Sequence, residues 1–429
     1  THGMSITNGE LKYQDSLTPG KSEKLQKQIG ETQVLNEDIA WAENQLVDSI
    51  SNKNAKNSDS IFDGSKEPDY IVGKKKNKTI TEQFKEIADN SNISVVHIEA
   101  GIHNVTEPIV FKHKVHFIGP KSAGGTKSGR PKVFFDFSAI IEKYDLNSKN
   151  LTGFTFEAGA DIENVTFKGG KDKGDQKTTV NLLQFGTKDG DNLNVSANIR
   201  NCNLGEFKGK RAITNYGTKS HIENNSFSDA PGGGTTAIEL RPTKNASKKD
   251  QNNIFNNTFH LGVSHTSLRT SGDVATENLL LKNNVSDIGG RLLDVQTGLK
   301  NAQINTNTVS GGHNTNQHSA ILDFQRGVLS DIDVLGNSFA GLDLDTGFAA
   351  WSEDKLDNSY SDNPYEDSDR SMNVVRVTED SKIQKNGLDL FGNNLSFARE
   401  GHNAISIEGK KNKKNVSVKS NIIRNSDDQ

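Results

Sequence analysis

Cysteine is almost absent from this sequence: Cys202 is the only one in 429 residues, beside 8 prolines and 2 tryptophans. One thiol cannot pair within the chain, so this is no disulfide-built scaffold. Long apolar runs are missing too, and without some ~18–20 consecutive apolar residues there is no membrane-spanning helix. Neither charge is in large excess, since 51 Lys and Arg face 55 Asp and Glu for a formal charge of −4. A chain so balanced offers no electrostatic footprint for nucleic acid, and any polyanion has to meet a local basic patch. Apolar material is itself scarce. Hydrophobic residues make up 32%, and adding the 39 glycines still leaves the total below the ~45–50% usual in globular chains. A polar, nearly cysteine-free chain of this kind suits bacterial export, and the expected location is secreted or at the cell surface.

Two regions stand apart. In residues 1–75, Leu35, Ile39, Leu46 and Ile50 recur at helical spacing with Trp41 among them, which predicts a partly helical N-terminal extension; a disordered leader is the alternative. Residues 76–429 form the main domain. It opens on a second helical patch with Ile80, Phe84 and Ile87 at i, i+4 and i+7. Short β-rich runs broken by Gly, Pro and Asn follow.

From there the chain repeats itself. A six-residue template, aliphatic–x–(Asn/Gly/Ser/Thr)–x–x–apolar, returns as IENVTF (162–167), IRNCNL (199–204), IENNSF (222–227), IFNNTF (254–259), INTNTV (304–309), VLGNSF (334–339), LFGNNL (390–395) and VKSNII (418–423), with a degraded copy, LKNNVS, at 281–286. Successive copies lie at least 23 residues apart, and further where polar loops intervene; a coil with a fixed core and variable loops gives this pattern. The apolar residues alternate and do not follow a 3.6-residue period, which excludes helical repeats. The predicted fold is all-β, a right-handed single-stranded parallel β-helix, with the 79–90 helix capping the open edge of its first coil. The template asparagines suit a left-handed turn and, stacked coil on coil, an internal ladder. Sequon asparagines such as Asn164, Asn256 and Asn394 are read as ladder positions, and Cys202, in the same template, as structural.

A second strand follows the later templates: AIELR (237–241), LLDVQ (292–296), ILDFQ (321–325), VVRVT (374–378) and AISIE (404–408). With the aliphatic residues inward, one outer face gains a polar column of Glu239 and Arg241, Asp294 and Gln296, Asp323 and Gln325, Arg376 and Thr378, then Ser406 and Glu408. Such a face forms a groove suited to an extended polymer, with sugars the natural candidate. For any one of these residues a solvated sheet face is the plain alternative. Lys219 and Arg241 are 22 residues apart, near one coil, and are expected to stack on adjacent coils roughly 5 Å apart. Neighbouring cations depress the lysine pKa and favour an amine that takes a proton, while the arginine grips a carboxylate. That combination fits β-elimination on a uronic acid: the amine takes the C5 proton and the glycosidic oxygen leaves.

The order Lys219-Ser220, IENNSF, Leu240-Arg241 resembles polysaccharide lyase family six, the chondroitinase B and alginate lyase type, with local likeness over residues 160–300. The resemblance implies a parallel β-helix that degrades a uronic-acid-containing anionic polysaccharide of the alginate or glycosaminoglycan type, with Lys219 as base and Arg241 as acid or carboxylate partner. The family's acidic calcium ligands, five and seven residues before the lysine, are replaced here by Thr214 and Ala212. Asn181 matches one further ligand, and Lys210 and Arg211 offer positive charge in place of the ion. No cofactor is therefore expected, calcium being the one ion that the resemblance leaves open.

Arg211, His221, Glu239, His265, Arg269, Arg291 and Asp294 are the candidate substrate contacts. His313 and His318 lack the partners of a metal site. The acidic segment 352–369 reads as a solvated loop, with a lid or a calcium loop as alternatives. Three functions stay open: a polysaccharide lyase; a glycan-binding spike or adhesin, with hydrolysis by Glu239, Asp294 and Asp323 or no catalysis; and a structural surface β-helix.

Overall fold

The computed structural model describes residues 4–7, 10–13 and 67–425, the last range without 121–132, 145–150, 170–179, 208–210, 229–235, 244–250, 262–265, 287–290, 310–319, 341–372, 386 and 398–403. The chain divides into two units, Thr1–Ser58 and Asp59–Gln429. In the first, Met4–Thr7 pairs antiparallel with Glu10–Tyr13. The helix expected over residues 35–50 lies outside the described residues.

The second unit is a parallel β-helix. Sheet 1 runs from Tyr70–Val72 to Val416–Lys419, sheet 2 from Gly101–Asn104 to Ile422–Asn425 and sheet 3 from Ile109–Phe111 to Ile405–Ile407, with 13, 11 and 10 strands. The chain visits the three in turn, its strands in parallel register with the coil before; in one coil Ser381–Ile383 and Leu388–Phe391 both pair with Gly327–Leu335 of sheet 1. The template explains the register. Its first position stacks as Ile162, Ile199, Ile222, Ile254, Leu281 and Ile304 in sheet 1. Its last position stacks as Phe167, Leu204, Phe227 and Phe259 in sheet 2. All of these are buried in one continuous core. A one-residue slip would turn each of them outward, so the alternation itself fixes the register.

The cap predicted over the first coil is present. The helix Ile80–Asp89 starts with a capping box, in which Thr79 Oγ1 accepts from the Glu82 N–H at 3.2 Å and the Glu82 carboxylate accepts from the Thr79 N–H at 2.7 Å. Its buried face drives Phe84 into an aromatic cluster, with ring centroids 4.9 Å from Phe154, 5.2 Å from Phe135 and 5.6 Å from Phe117.

The asparagine ladder exists, one position further along the template than expected. The third position makes the turn between sheets 1 and 2: Asn164, Asn201, Asn224, Asn256 and Asn283 all have φ between 53° and 60°, a region that asparagine tolerates better than most residues. The ladder is built by the fourth position. Asn225, Asn257, Asn284, Asn307, Asn337, Asn393 and Asn421 point inward, each passing an amide N–H to the carboxamide oxygen of the next at 2.8–3.1 Å. The second amide hydrogen goes to a backbone carbonyl of the preceding coil, as from Asn257 to Ile222 at 2.9 Å. The sequon residues Asn164 and Asn256 are thus turn formers, and Asn394 lies in a sheet 2 strand.

Cys202 occupies the rung below Asn225. Its backbone N–H donates to Asn225 Oδ1 at 2.9 Å, and its thiol lies 3.8 Å from the Ile162 carbonyl, the group that an asparagine amide would meet there. Burial pushes the thiol pKa up to about 12, which leaves it inert as a nucleophile. Cys202→Asn extends the ladder by one rung and should raise the thermal midpoint by an increment worth about 1 kcal/mol. A lower midpoint than native would show that the sulfur site cannot take a carboxamide.

Candidate functional site

On the outer face of sheet 3 the register aligns one residue per coil. Thr155, Gln184, Thr214, Glu239, Arg269, Asp294, Asp323, Arg376 and Ser406 form a single column. Alternation puts these side chains outward because their neighbours, such as Leu293 and Val295, fill the core. The polar column expected from the sequence is therefore present, with Arg269 inserted between Glu239 and Asp294.

Asp294 and Asp323 face each other across adjacent coils, about 4.8 Å apart, and neither is exposed. Asp294 accepts from Arg269 Nε at 2.9 Å, Gln296 Nε2 at 3.1 Å and Gln325 Nε2 at 2.9 Å, with Arg291 Nη1 at 3.1 Å. Arg376 grips both oxygens of Asp323, Nε at 2.9 Å and Nη2 at 3.2 Å, and Gln325 Nε2 reaches it at 3.1 Å. One amide nitrogen and one guanidinium therefore touch both carboxyls, since Arg291 Nη1 is also 3.7 Å from Asp323 Oδ2. Burial pushes the Asp323 pKa up against the pull of Arg376 and Arg291, and the Asp294 charge adds to the rise. Two buried carboxyls that share donors, one of them with its pKa raised by burial, are an arrangement that acid–base chemistry can use. A pocket of about 320 Å³ adjoins the pair, lined by Ser271, Gly272, Gln296, Thr297, Gln325 and Arg326.

Glu239 forms a second centre. Its Oε1 accepts from Ser271 Oγ at 2.8 Å, Arg211 forms an ion pair with its Oε2, and Arg241 Nη1 is 3.8 Å from the same oxygen. Arg241 also lies over the Tyr216 ring, 5.4 Å from its centroid. Tyr216 was not singled out by sequence because its role depends on the register: it precedes Arg241 by one coil, just beyond a strand end.

The expected stacking of Lys219 on Arg241 does not occur. Lys219 opens the sheet 1 strand Lys219–Glu223, where it pairs with Ser196; Ser220 pairs with Asn252 in the next coil. Arg241 follows the sheet 3 strand Thr236–Leu240, its N–H bonded to the Asn215 carbonyl at 2.7 Å. Twenty-two residues fall short of a full turn here, because polar loops lengthen this coil. The two cations thus lie on different sheets, and like-charge repulsion between stacked neighbours no longer supports a neutral lysine. His221 is on sheet 1 too, with Nε2 3.3 Å from Glu223 Oε2. His265, Lys210, His313, His318 and the 352–369 segment lie outside the described residues.

The calcium set implied by the family resemblance does not fit. Ala212 and Thr214 supply no carboxylate, and Asn181 Oδ1 already accepts from the Arg211 N–H at 3.1 Å. Among the described residues no group of three His, Cys, Asp or Glu is placed to hold a metal ion.

No protein-family model matches the sequence, and no curated protein matches it. Solved structures do. The surface protein and adhesin PfbA of Streptococcus pneumoniae is 12% identical, with 81% of this chain and 93% of that chain covered and a TM-score of 0.38. The A-module of the Azotobacter vinelandii mannuronan C-5 epimerase AlgE6 is 12% identical over 83% and 99% of the chains, with a TM-score of 0.33. The catalytic domain of a GH87 α-1,3-glucanase in complex with nigerose is 12% identical over 82% and 68%, with a TM-score of 0.36. The likeness is one of fold alone.

Proposed function

We propose that this chain is a secreted or cell-surface polysaccharide-degrading protein that holds an extended anionic glycan along the outer face of sheet 3 and hydrolyses it there, with Asp323 as general acid and Asp294 as its carboxylate partner. The observation that carries this reading is the stacked pair itself: two aspartates on adjacent coils, bridged by Gln325 and Arg291, with the Asp323 pKa raised by burial. The face also suits an anionic substrate in a chain whose overall charge is negative. From Arg211–Asn215 to Asn373–Val377, counting the residue after each strand, five arginines oppose three carboxylates.

A lyase is the second reading, favoured by the turn 216–218. It links Tyr216, under Arg241, to Lys219 only three residues on, a closeness along the chain that supports the pair although the two lie on different sheets. Product chemistry separates the two. Incubation with alginate, pectate, and chondroitin and dermatan sulfates should yield new reducing ends without the ultraviolet absorbance of an unsaturated uronate, and Lys219→Ala should keep at least half the native rate. Absorbing product that disappears in Lys219→Ala would replace hydrolysis by elimination. Retained binding without any cleavage would leave the protein a glycan-binding spike or adhesin.

A further inference from the structure

Glu239 lies two coils before Asp294 in the same column, about 10 Å along the axis, and the acid pair makes no use of it. Its side chain is 3% exposed, whereas those of Arg211 and Arg241, which converge on its Oε2, remain 28% and 31% exposed. Arg211 meets Glu239 through its Nε, which leaves both of its terminal nitrogens to other partners, and Arg241 Nε makes no hydrogen bond. One acid between two guanidinium groups leaves a net positive charge at the rim of the groove. The Tyr216 ring holds the Arg241 fork from behind, and Ser271, which holds the other oxygen of Glu239, also lines the pocket beside the acid pair.

A buried carboxylate that orients two half-exposed arginines does not use up their donors, and a guanidinium fork matches a second carboxylate in shape and charge. We infer that Arg211 and Arg241 form a uronate-selecting subsite, in which the carboxylate of a sugar lying toward the N-terminal end of the groove completes the coordination of both guanidinium groups, with Glu239 as the residue that positions them. The inference deepens the hydrolase reading and rests on its placement of the glycan. The subsite discriminates because a methyl-esterified or neutral sugar offers no charge to the arginines and leaves their donors unpaired.

The test measures binding of uronate tetramers prepared from alginate and from pectate, each as free acid and as methyl ester, by calorimetry. The native protein should prefer one of the free acids over its ester by at least about tenfold. Arg211→Gln and Arg241→Gln should each cut that preference severalfold while ester affinity stays put, and Arg241→Lys should recover only part of it. Tyr216→Leu, which leaves all charges in place, should lower it too and guards against a folding defect in the arginine variants. Equal binding of acid and ester by the native protein, binding of neither, or an unchanged preference in the Gln variants overturns the subsite. Cleavage by Asp323→Asn is followed in parallel: retained cleavage sinks the acid pair, and lost cleavage with an unchanged acid preference in Arg241→Gln sinks the subsite alone.

Discussion

Asp323→Asn should lower polysaccharide turnover by about a thousandfold, the order of loss expected when a general acid is removed. Asparagine keeps an oxygen for Arg376, so the ion-pair network loses a charge without opening a cavity. Because burial raises the Asp323 pKa, the protonated form proposed as the acid should persist to higher pH than in an ordinary aspartic acid, and activity should be lost as pH rises through the raised value. Arg291 pulls that pKa down, so Arg291→Gln should move the alkaline limb of kcat/KM to higher pH. A limb that stays in place would remove Asp323 from the role of acid. Stability carries the same sign: the folded state holds this proton more tightly than the unfolded chain, so the group's contribution falls as pH rises from the unfolded carboxylate range through the raised pKa. Two carboxyls bridged by the single nitrogen Gln325 Nε2, at 2.9 and 3.1 Å, stand closer than the ~6.5–9.5 Å of inverting glycosidases. Nuclear magnetic resonance of the first-formed product should accordingly show retained anomeric configuration, and inversion would exclude Asp294 as the nucleophile.

Asn284→Ala should cost about 4 kcal/mol, read as a fall in the urea midpoint. The residue is fully buried. Its Oδ1 accepts from the Asn257 N–H at 3.1 Å and from Asn257 Nδ2 at 3.0 Å, while its amide serves the Ile254 carbonyl at 2.9 Å and Asn307 Oδ1 at 3.0 Å. Alanine strands those partners in a dry core, at about 1–3 kcal/mol for each unsatisfied group. The neighbouring Asn283→Gly is the control. Asn283 has φ 53°, a conformation glycine adopts without strain, so the midpoint should move by less than about 1 kcal/mol. Equal losses from the two would mean that the inward rung is no stronger than the turn.

The sequence carried the coil, the cap and the outer column, because each depends on a local pattern: alternation, i, i+4, i+7 spacing, and turn residues at a fixed template position. Assigning the ladder to the third template position failed, since both the third and fourth positions favour asparagine and only the backbone decides which side chain turns inward. Val165 and Cys202 stand at the fourth position in the earlier copies, which blurred the signal further. The acid pair was legible as two entries of the column, LLDVQ and ILDFQ. Its coupling through Gln325 and Arg291 was not, because contacts across coils depend on loop lengths that the template does not encode. The same loops misled the pairing of Lys219 with Arg241, where a count of residues stood in for a count of strands.

Burial varies along the β-helix. Phenylalanines 84, 111, 117, 135 and 154 pack against one another under the N-terminal helix with no exposure. In the last described coil Val418, Ile422 and Ile423 are 47%, 53% and 50% exposed. Where each coil touches only its neighbours, local opening free energy follows local burial. Local opening should therefore be rare in the coils around Phe84 and more frequent in the coil that carries Val418, Ile422 and Ile423. Amide exchange along the asparagine rungs should be faster at Asn421 than at Asn225, with Asp294 and Asp323 on the coils between them.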